Sequence, residues 1–171
     1  KKFEFIISTD CLKTKKIVSK FEWIKIHNRP KKLATDDSLD LLIKEIPKIC
    51  NGKYILWTHV TSPLFNEIDY INFLKTFFKT KKAKNKSAFS ADILSKFIFK
   101  RAVGWISHNV KKKKWPRTQD LKDIYTANSA AFIAHRDIYK KFNDRLCNKT
   151  IPIKSRETSG FDLDNKKDFI E

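Results

Sequence analysis

Two aspartates near the carboxyl end of this 171-residue chain are spaced so that they could act together. In the stretch "SGFDLDNKKDF", Asp162 and Asp164 flank one leucine. Residues two apart in a strand point to the same face, so a strand here would bury Phe161 and Leu163 and would present both carboxylates where it ends. Two adjacent anions repel each other unless a cation lies between them.

Mg²⁺ is the cation that fits this pattern, because proteins commonly hold it with one or two carboxylates together with substrate phosphates. The other interpretation is structural: an exposed strand end followed by a helix. Asn165 would be the N-cap of that helix, and Asp168, three residues later, would complete a reciprocal cap. The spacing alone leaves both interpretations open.

A second group of polar residues lies in "WPRTQDLKDIYTANSAAFI". This stretch has no helical pattern, and it places Arg117, Gln119, Tyr125 and Asn128 ahead of an apolar strand. An arginine can bind a carboxylate or a phosphate with two parallel hydrogen bonds, which a lysine cannot do as well. The alternative is a polar loop held by its own side-chain hydrogen bonds.

Strand and helix patterns alternate along the chain. "FEFIIS", "WIKI", "KYILWTHV" and "AAFIA" are typical of strands, and "FDLD" is predicted to close the sheet. Amphipathic segments between them predict helices, one starting at Asp37 or Ser38 and ending at Pro47, another capped by Asn66 and Asp69. The pattern predicts one α/β domain over residues 1–171, a layered sandwich with a mostly parallel sheet. In such sheets ligands collect at the carboxyl ends of strands, where "STD", "THVTSP" and the two aspartates stand.

One segment breaks this rhythm. "KFIFKRAVGWISHNVKKKKWP" is rich in strand-forming residues and has turn signals at Gly104 and Asn109. It contains no helix that could connect two parallel strands. We therefore expect an arm that leaves the main sheet.

The composition limits the possible partners. The net charge is +18, yet most of the 37 basic residues are lysines, and base readout favours arginine, so no specific nucleic-acid partner is predicted. Such a surface attracts small anions. No apolar run is long enough to cross a bilayer, so no membrane partner is expected. Three distant cysteines without CxxC spacing indicate neither disulfides nor zinc, and a reducing cytoplasm fits them.

Four motifs in order, "RPKKLATDDS", "THVTSPL", "RTQDLKDIYTANSAAFI" and "FDLDNKKDF", resemble those of the acylneuraminate (CMP-sialic acid) cytidylyltransferase family. The resemblance implies a Rossmann-like three-layer α/β sandwich. It also implies an enzyme that joins CTP to a nonulosonic acid for a cell-surface glycan, releases pyrophosphate and requires Mg²⁺. Members of the family are homodimers, and residues 92–127 would be the dimerisation arm.

The resemblance also implies roles for individual residues. Asp162 and Asp164 would bind the metal and, with Arg117, would form the catalytic set. The residues that it places at the nucleotide are Arg29, Ser38 and Ser62. The residues that it places at the acidic sugar are His59, Lys96, Gln119, Asn128 and Phe132.

The chain departs from the family pattern at several positions. Family members have Gln at His59, Arg at Phe65 and "NGAIY" where "NSAAF" stands, so the sugar is left open, and His59 could equally be a core histidine. The Gly- and Lys-containing phosphate loop after the family's first strand has no counterpart, and we expect this strand and loop to be missing from the sequence. The alternatives are a cytidylyltransferase for another keto-acid sugar and a non-catalytic nucleotide-sugar-binding protein.

Overall fold

The computed structural model describes residues 3–34 and 39–169, in which strands and helices alternate. The strands β1 to β8 are Phe5–Thr9, Ile24–Asn28, Tyr54–Thr58, Ser87–Leu94, Phe99–Lys100, Gly104–Trp105, Ile124–His135 and Thr150–Lys154. The helices α1 to α4 are Leu12–Val18, Asp40–Ile49, Glu67–Lys79 and Arg136–Phe142. No helix in the described ranges is long and apolar enough to span a membrane.

The backbone contacts separate the chain into two compact units. The first consists of Lys1–Trp57, Thr80–Ala88 and Phe132–Ile151. The second consists of Thr58–Lys79, Phe89–Ala131 and Pro152–Glu171.

The α/β class is confirmed, and the prediction of a mostly parallel sheet is confirmed only in part, because the larger sheet is mixed. β1 and β2 form a parallel pair of their own, whereas β3, β7, β4 and β8 form, in that order, a four-stranded mixed sheet. The antiparallel β5–β6 hairpin is separate from both. The chain runs from β4 to β7 through this hairpin and a 3-10 turn, without the helix that a parallel crossover commonly uses.

The prediction that "FDLD" closes the sheet is wrong. Residues 161–164 form no strand, and the last strand is β8, with the sequence "TIPIK". Pro152 interrupts the strand pattern in that sequence, because proline lacks the N–H that a central strand must donate. β8 tolerates it because β8 is the outermost strand of its sheet.

The first unit has a core built around helix α2. Its buried side chains come from α2, β3, β7 and α4, and they are Leu42, Ile43, Ile46, Ile55, Ala134, Ile138 and Tyr139. α2 runs to Ile49 and not to Pro47 as predicted, and the proline is buried. Its packing offsets part of the cost of the lost backbone hydrogen bond. The predicted caps Asp37 and Ser38 lie outside the described residues.

In the second unit, helix α3 begins with the cap predicted at Asn66 and Asp69, and the structure shows that this cap is reciprocal. The N–H of Asn66 donates to Asp69 Oδ2 at 3.1 Å, and the N–H groups of Ile68 and Asp69 donate to Asn66 Oδ1 at 3.0 and 3.2 Å. Arg156 forms a bidentate pair with Asp69: its Nε and Nη2 donate to the two carboxylate oxygens at 3.3 and 3.1 Å. The cap thus also ties α3 to the segment after β8.

The strand β7 contains one residue in a strained backbone conformation. Ser129 has a φ of 63°, in the left-handed region that glycine occupies without steric cost. The residues on either side, Asn128 and Ala130, are buried. The motif "NGAIY" in the resembling family has glycine at this position, so the backbone geometry gives a physical reason for that glycine.

We predict that Ser129→Gly stabilises the protein by about 0.5–1 kcal/mol. The free energy gained by relieving the left-handed strain exceeds the entropic cost of ordering a glycine backbone. Ala127→Gly, an exposed change two residues earlier in the same strand, is the matched control and should destabilise by about 0.5–1 kcal/mol. Urea unfolding of both variants measures the difference. Equal destabilisation by both changes would contradict the strain assignment.

The Asp69–Arg156 pair should make stability depend on acid. Burial alone raises the pKa of Asp69, but the hydrogen bonds and charge of Arg156 and the Asn66 N–H outweigh it, so the pKa lies below its ordinary value. A carboxyl group whose pKa is lowered by folding stabilises the folded state at pH values above its unfolded pKa of about 3.9. This stabilisation is lost as the pH falls through the pKa of the folded state. Arg156→Gln should therefore lower Tm at pH 7, and the difference from wild type should shrink below about pH 4. Lys154→Gln, two residues earlier, is the control; a pH-independent difference for Arg156→Gln would disprove the linkage.

Candidate functional site

The predicted site residues fall in both units. Arg29 and Phe132 belong to the first unit, and Ser38 lies outside the described residues. The second unit carries His59, Ser62, Lys96, Arg117, Gln119, Asn128, Asp162 and Asp164.

In the second unit, the segment with the two aspartates lies against the loop that follows β3. The N–H of Leu163 donates to the carbonyl oxygen of Thr61 at 2.7 Å. Leu163 is the residue between Asp162 and Asp164, and Thr61 precedes Ser62. Two of the predicted motifs, "THVTSP" and "FDLD", are therefore in direct backbone contact although they are about a hundred residues apart in sequence.

Two side-chain atoms in this region are buried and lack a hydrogen-bond partner among the described residues: Ser62 Oγ and Asp162 Oδ1. Buried polar atoms are almost always paired, because leaving one unpaired costs about 1–3 kcal/mol. An unpaired carboxylate oxygen is the donor type that Mg²⁺ prefers. Asp162 therefore fits the predicted metal role by the chemistry of its unsatisfied oxygen.

Asp164 is exposed, and its backbone is fixed by a turn. The N–H groups of Asp164 and Asn165 both donate to Asp168 Oδ2 at 2.8 Å, and the N–H of Lys167 donates to Asn165 Oδ1 at 3.0 Å. This confirms the predicted reciprocal cap, which here starts a 3-10 turn, Lys166–Phe169. The cap uses Asp168 and leaves the carboxylate of Asp164 on the exposed side.

The two aspartates would need oxygen ligands from a substrate. Across the described part of the chain, no group of three or more His, Cys, Asp and Glu side chains is arranged to hold a metal ion. A pair of carboxylates completed by phosphate oxygens and water is the usual way in which Mg²⁺ binds. The residues present thus fit a metal that arrives with a phosphorylated substrate.

In the first unit, Arg29 is anchored at the carboxyl ends of the parallel strands β1 and β2. Its Nη2 donates to the carbonyl oxygen of Ser8 at 2.6 Å, and its Nε donates to Ser8 Oγ at 3.2 Å. Ser8 Oγ also lies 3.0 Å from His27 Nδ1, on the neighbouring strand. His27 was not predicted as a site residue; its position opposite Ser8 follows from the register of the two strands.

Arg117 already binds a carboxylate within the chain. Its Nε and Nη2 donate to the two oxygens of Asp120 at 3.1 and 3.3 Å, and Lys113 lies 3.9 Å from the same carboxylate. This arrangement matches the alternative interpretation of the motif, a polar loop held by its own side-chain hydrogen bonds. Arg117, Gln119 and Lys96 are all exposed, so the loop remains accessible to a ligand.

Phe132 is buried in the protein interior, whereas His59 is only half-buried. Phe132 is only 3% exposed, and the guanidinium carbon of Arg145 lies 3.5 Å from the centre of its ring. The same guanidinium lies 4.9 Å from the ring of Trp57. Burial lowers the pKa of Arg145. His59 is half-buried, and its carbonyl oxygen accepts from the N–H of Ser62 at 3.4 Å.

Asn128 is buried and lies in a hydrogen-bonded network with Ser90, Asp92 and Ser155. The sequence motif identifies Asn128 as a candidate site residue, but it does not identify the three partners of its side chain. Their signal was weak, since small polar residues at "SAFSAD" and after β8 look like ordinary strand ends. Gly160 also contacts Asn128, and it could have been noticed because it stands two residues before Asp162.

Comparison with known proteins gives a fold but no family. Neither a protein-family model nor a curated protein matches the chain. The crystal structure of 4-diphosphocytidyl-2C-methyl-D-erythritol synthase from Anaerococcus prevotii is similar over 98% of this chain and 75% of that one, with a TM-score of 0.66 and 14% identity. HddC from Yersinia pseudotuberculosis is similar over 96% and 74%, with a TM-score of 0.49 and 12% identity. The chain therefore shares the α/β fold of the Anaerococcus synthase.

Proposed function

We propose that this protein transfers a cytidylyl group from CTP to a hydroxyl of a nonulosonic acid and releases pyrophosphate. The observation that carries the proposal is the buried Oδ1 of Asp162, which has no hydrogen-bond partner among the described residues and lies in a segment bound to the loop of Ser62. The fold supports the nucleotide half of the reaction, because the Anaerococcus synthase is named for a diphosphocytidyl product. The order of the four sequence motifs supports the sugar half.

In the proposed reaction, the sugar hydroxyl oxygen attacks the α-phosphorus of CTP and forms a new P–O bond. The bond from the α-phosphorus to the bridging oxygen breaks, pyrophosphate leaves with that oxygen, and the hydroxyl proton passes to solvent. Negative charge grows on the phosphate oxygens during this step, and bound Mg²⁺ would neutralise it. Asp162 and Asp164 would hold the ion, while the Ser62 hydroxyl would donate to a phosphate oxygen.

The remaining residues would bind and orient the two substrates. Ser8 already fixes two nitrogens of Arg29, which would present its other N–H groups to the nucleotide, together with Ser38. The guanidinium of Arg117 donates two hydrogen bonds to the carboxylate of Asp120, and the carboxylate of the sugar would replace that of Asp120 there. His59, Lys96 and Gln119 would complete the sugar contacts, and the surrounding lysines would attract both anions.

The proposed reaction is tested by measuring pyrophosphate release from CTP with a panel of acceptors, with and without Mg²⁺. The panel should contain several nonulosonic acids, an eight-carbon keto-acid sugar and 2C-methyl-D-erythritol 4-phosphate. We expect Mg²⁺-dependent release with a nonulosonic acid. Release with one of the other acceptors would retain cytidylyl transfer but reject the proposed sugar. CTP binding without release from any acceptor would instead favour a nucleotide-sugar-binding protein.

Asp162→Asn should reduce turnover by roughly 100-fold or more, because the amide removes a charged oxygen ligand from the metal. Asp164→Asn should act in the same direction without lowering Tm, since Asp164 is exposed. Glu67→Gln, an exposed carboxylate on α3 in the same unit, is the control and should leave turnover unchanged. Wild-type turnover in both site variants would reject the metal assignment.

We also propose that the protein is a homodimer that uses residues 92–127. The exposed apolar side chains of this arm support the idea, with Phe99 60%, Val103 65% and Trp115 67% exposed. Sedimentation should give twice the mass of one chain in high salt, which screens the lysines at 111–114. Val103→Glu should produce monomers, whereas Leu12→Glu, at an exposed apolar side chain on α1, should not. A wild-type monomer in high salt would contradict this assembly.

A further inference from the structure

The side-chain amide of Asn128 uses all of its hydrogen-bonding capacity within the protein. Its Nδ2 donates to Asp92 Oδ1 at 3.1 Å and to Ser155 Oγ at 2.9 Å. Its Oδ1 accepts from the hydroxyl of Ser90 at 2.6 Å and from the N–H of Ala130 at 3.4 Å. A primary amide has two donor hydrogens and two acceptor lone pairs, so nothing remains for a ligand.

These hydrogen bonds join three segments of the second unit. Ser90 and Asp92 lie on β4, Asn128 lies on β7, and Ser155 follows β8. The Asp92 carboxylate can only accept a hydrogen bond, so the Nδ2 end of the amide faces it and Oδ1 faces Ser90. The Ser90 hydroxyl donates to Oδ1, and its oxygen accepts from the N–H of Ala131 at 2.9 Å.

Gly160 packs directly on the same amide. A Cβ atom at this position would lie 2.1 Å from Asn128 Nδ2 and 2.7 Å from its Cγ. No side chain fits there without displacing Asn128. The backbone of Gly160 is therefore located by the amide, two residues before Asp162.

The segment from Ser155 to Leu163 is attached to the rest of the unit along its whole length. The N–H of Ser155 donates to the carbonyl oxygen of Ala91 at 2.8 Å, and Arg156 forms its bidentate pair with Asp69. Gly160 then rests on Asn128, and Leu163 binds the Thr61 carbonyl. Asp162 lies between the last two attachments, so the position of its carboxylate depends on them.

We infer that Asn128 is a positioning residue for Asp162, and that it holds the metal-binding segment in place by hydrogen bonds and by contact with Gly160. This replaces the sugar contact that the sequence motif implies for Asn128. The inference rests on the proposed function for its consequence in catalysis. Its structural part concerns only residues of this chain, so it can be measured without turnover.

The test compares three variants of the full chain with wild type. Asn128→Asp keeps the shape of the side chain but places a carboxylate oxygen against Asp92. The double variant Asn128→Asp/Asp92→Asn exchanges the two groups, so that the amide at 92 can donate to the carboxylate at 128. Asn72→Asp, on the exposed face of α3, is the matched control.

Two quantities are measured first. One is the affinity for Mn²⁺ in the presence of CTP, determined by electron paramagnetic resonance, and the other is the rate of hydrogen exchange over residues 157–163. We expect Asn128→Asp to weaken Mn²⁺ binding about tenfold or more and to speed exchange in this segment. The double variant should recover most of both properties, and Asn72→Asp should resemble wild type. If Asn128→Asp does not fold, Gly160→Ala tests the same contact from the other side and should weaken Mn²⁺ binding likewise.

Kinetics then separate positioning from sugar binding. Asn128→Asp should lower kcat and leave KM for the sugar within about twofold, because the sugar does not touch the amide. A raised sugar KM with unchanged kcat, Mn²⁺ affinity and exchange would overturn the inference, as would a double variant that stays as impaired as the single one. Wild-type protein that binds Mn²⁺ with CTP but turns over no acceptor would refute the proposed reaction alone. Wild-type protein that binds no Mn²⁺ would refute the inference itself.

Discussion

The second unit depends on one constraint: each polar group buried between β4, β7 and the segment after β8 needs a partner inside the protein. Asn128 meets this constraint completely, since both of its donors and both of its acceptors are used. The residues around it are small, and Ala91, Ala130 and Ala131 are fully buried. Small side chains let the backbones approach closely, and the amide then supplies the hydrogen bonds that fix their register.

Against this background, the unpaired oxygens of Ser62 and Asp162 are informative. The same unit that satisfies Asn128 four times leaves these two buried atoms without a partner among the described residues. Local departures from hydrogen-bond satisfaction are commonest where a protein binds something else. Ser62 and Asp162 are sequence neighbours of Thr61 and Leu163, whose backbones are hydrogen-bonded, so both atoms belong to the same two segments of the unit.

Local signals in the sequence predicted local structure well. The caps predicted at Asn66 and at Asn165 are confirmed, because each depends only on residues two to four apart. The break in the alternation of strands and helices after β4 was predicted from aromatic and turn residues, and the structure has the separate β5–β6 hairpin in that segment. The α/β class followed from the alternation of periods, which needs no knowledge of which strands pair.

Pairing between distant segments could not be read in the same way. The segment at Phe161 has the alternation of a strand, yet the edge strand of the sheet is β8. An edge strand tolerates Pro152, and the alternation of apolar and polar residues does not distinguish an edge strand from a central one. The sequence favours Arg117 as a ligand-binding residue, but its guanidinium donates two hydrogen bonds to Asp120, three residues away.

Asn128 shows the same limit at the candidate site. Its motif identifies the residue but not the direction of its amide, which is decided by partners on two other strands and by the absence of a side chain at Gly160. A motif fixes which residues stand near a site, whereas hydrogen-bond saturation decides which of them can touch a ligand. By that criterion the carboxylate of Asp162 is available for binding, and the amide behind it serves to hold the carboxylate where it is.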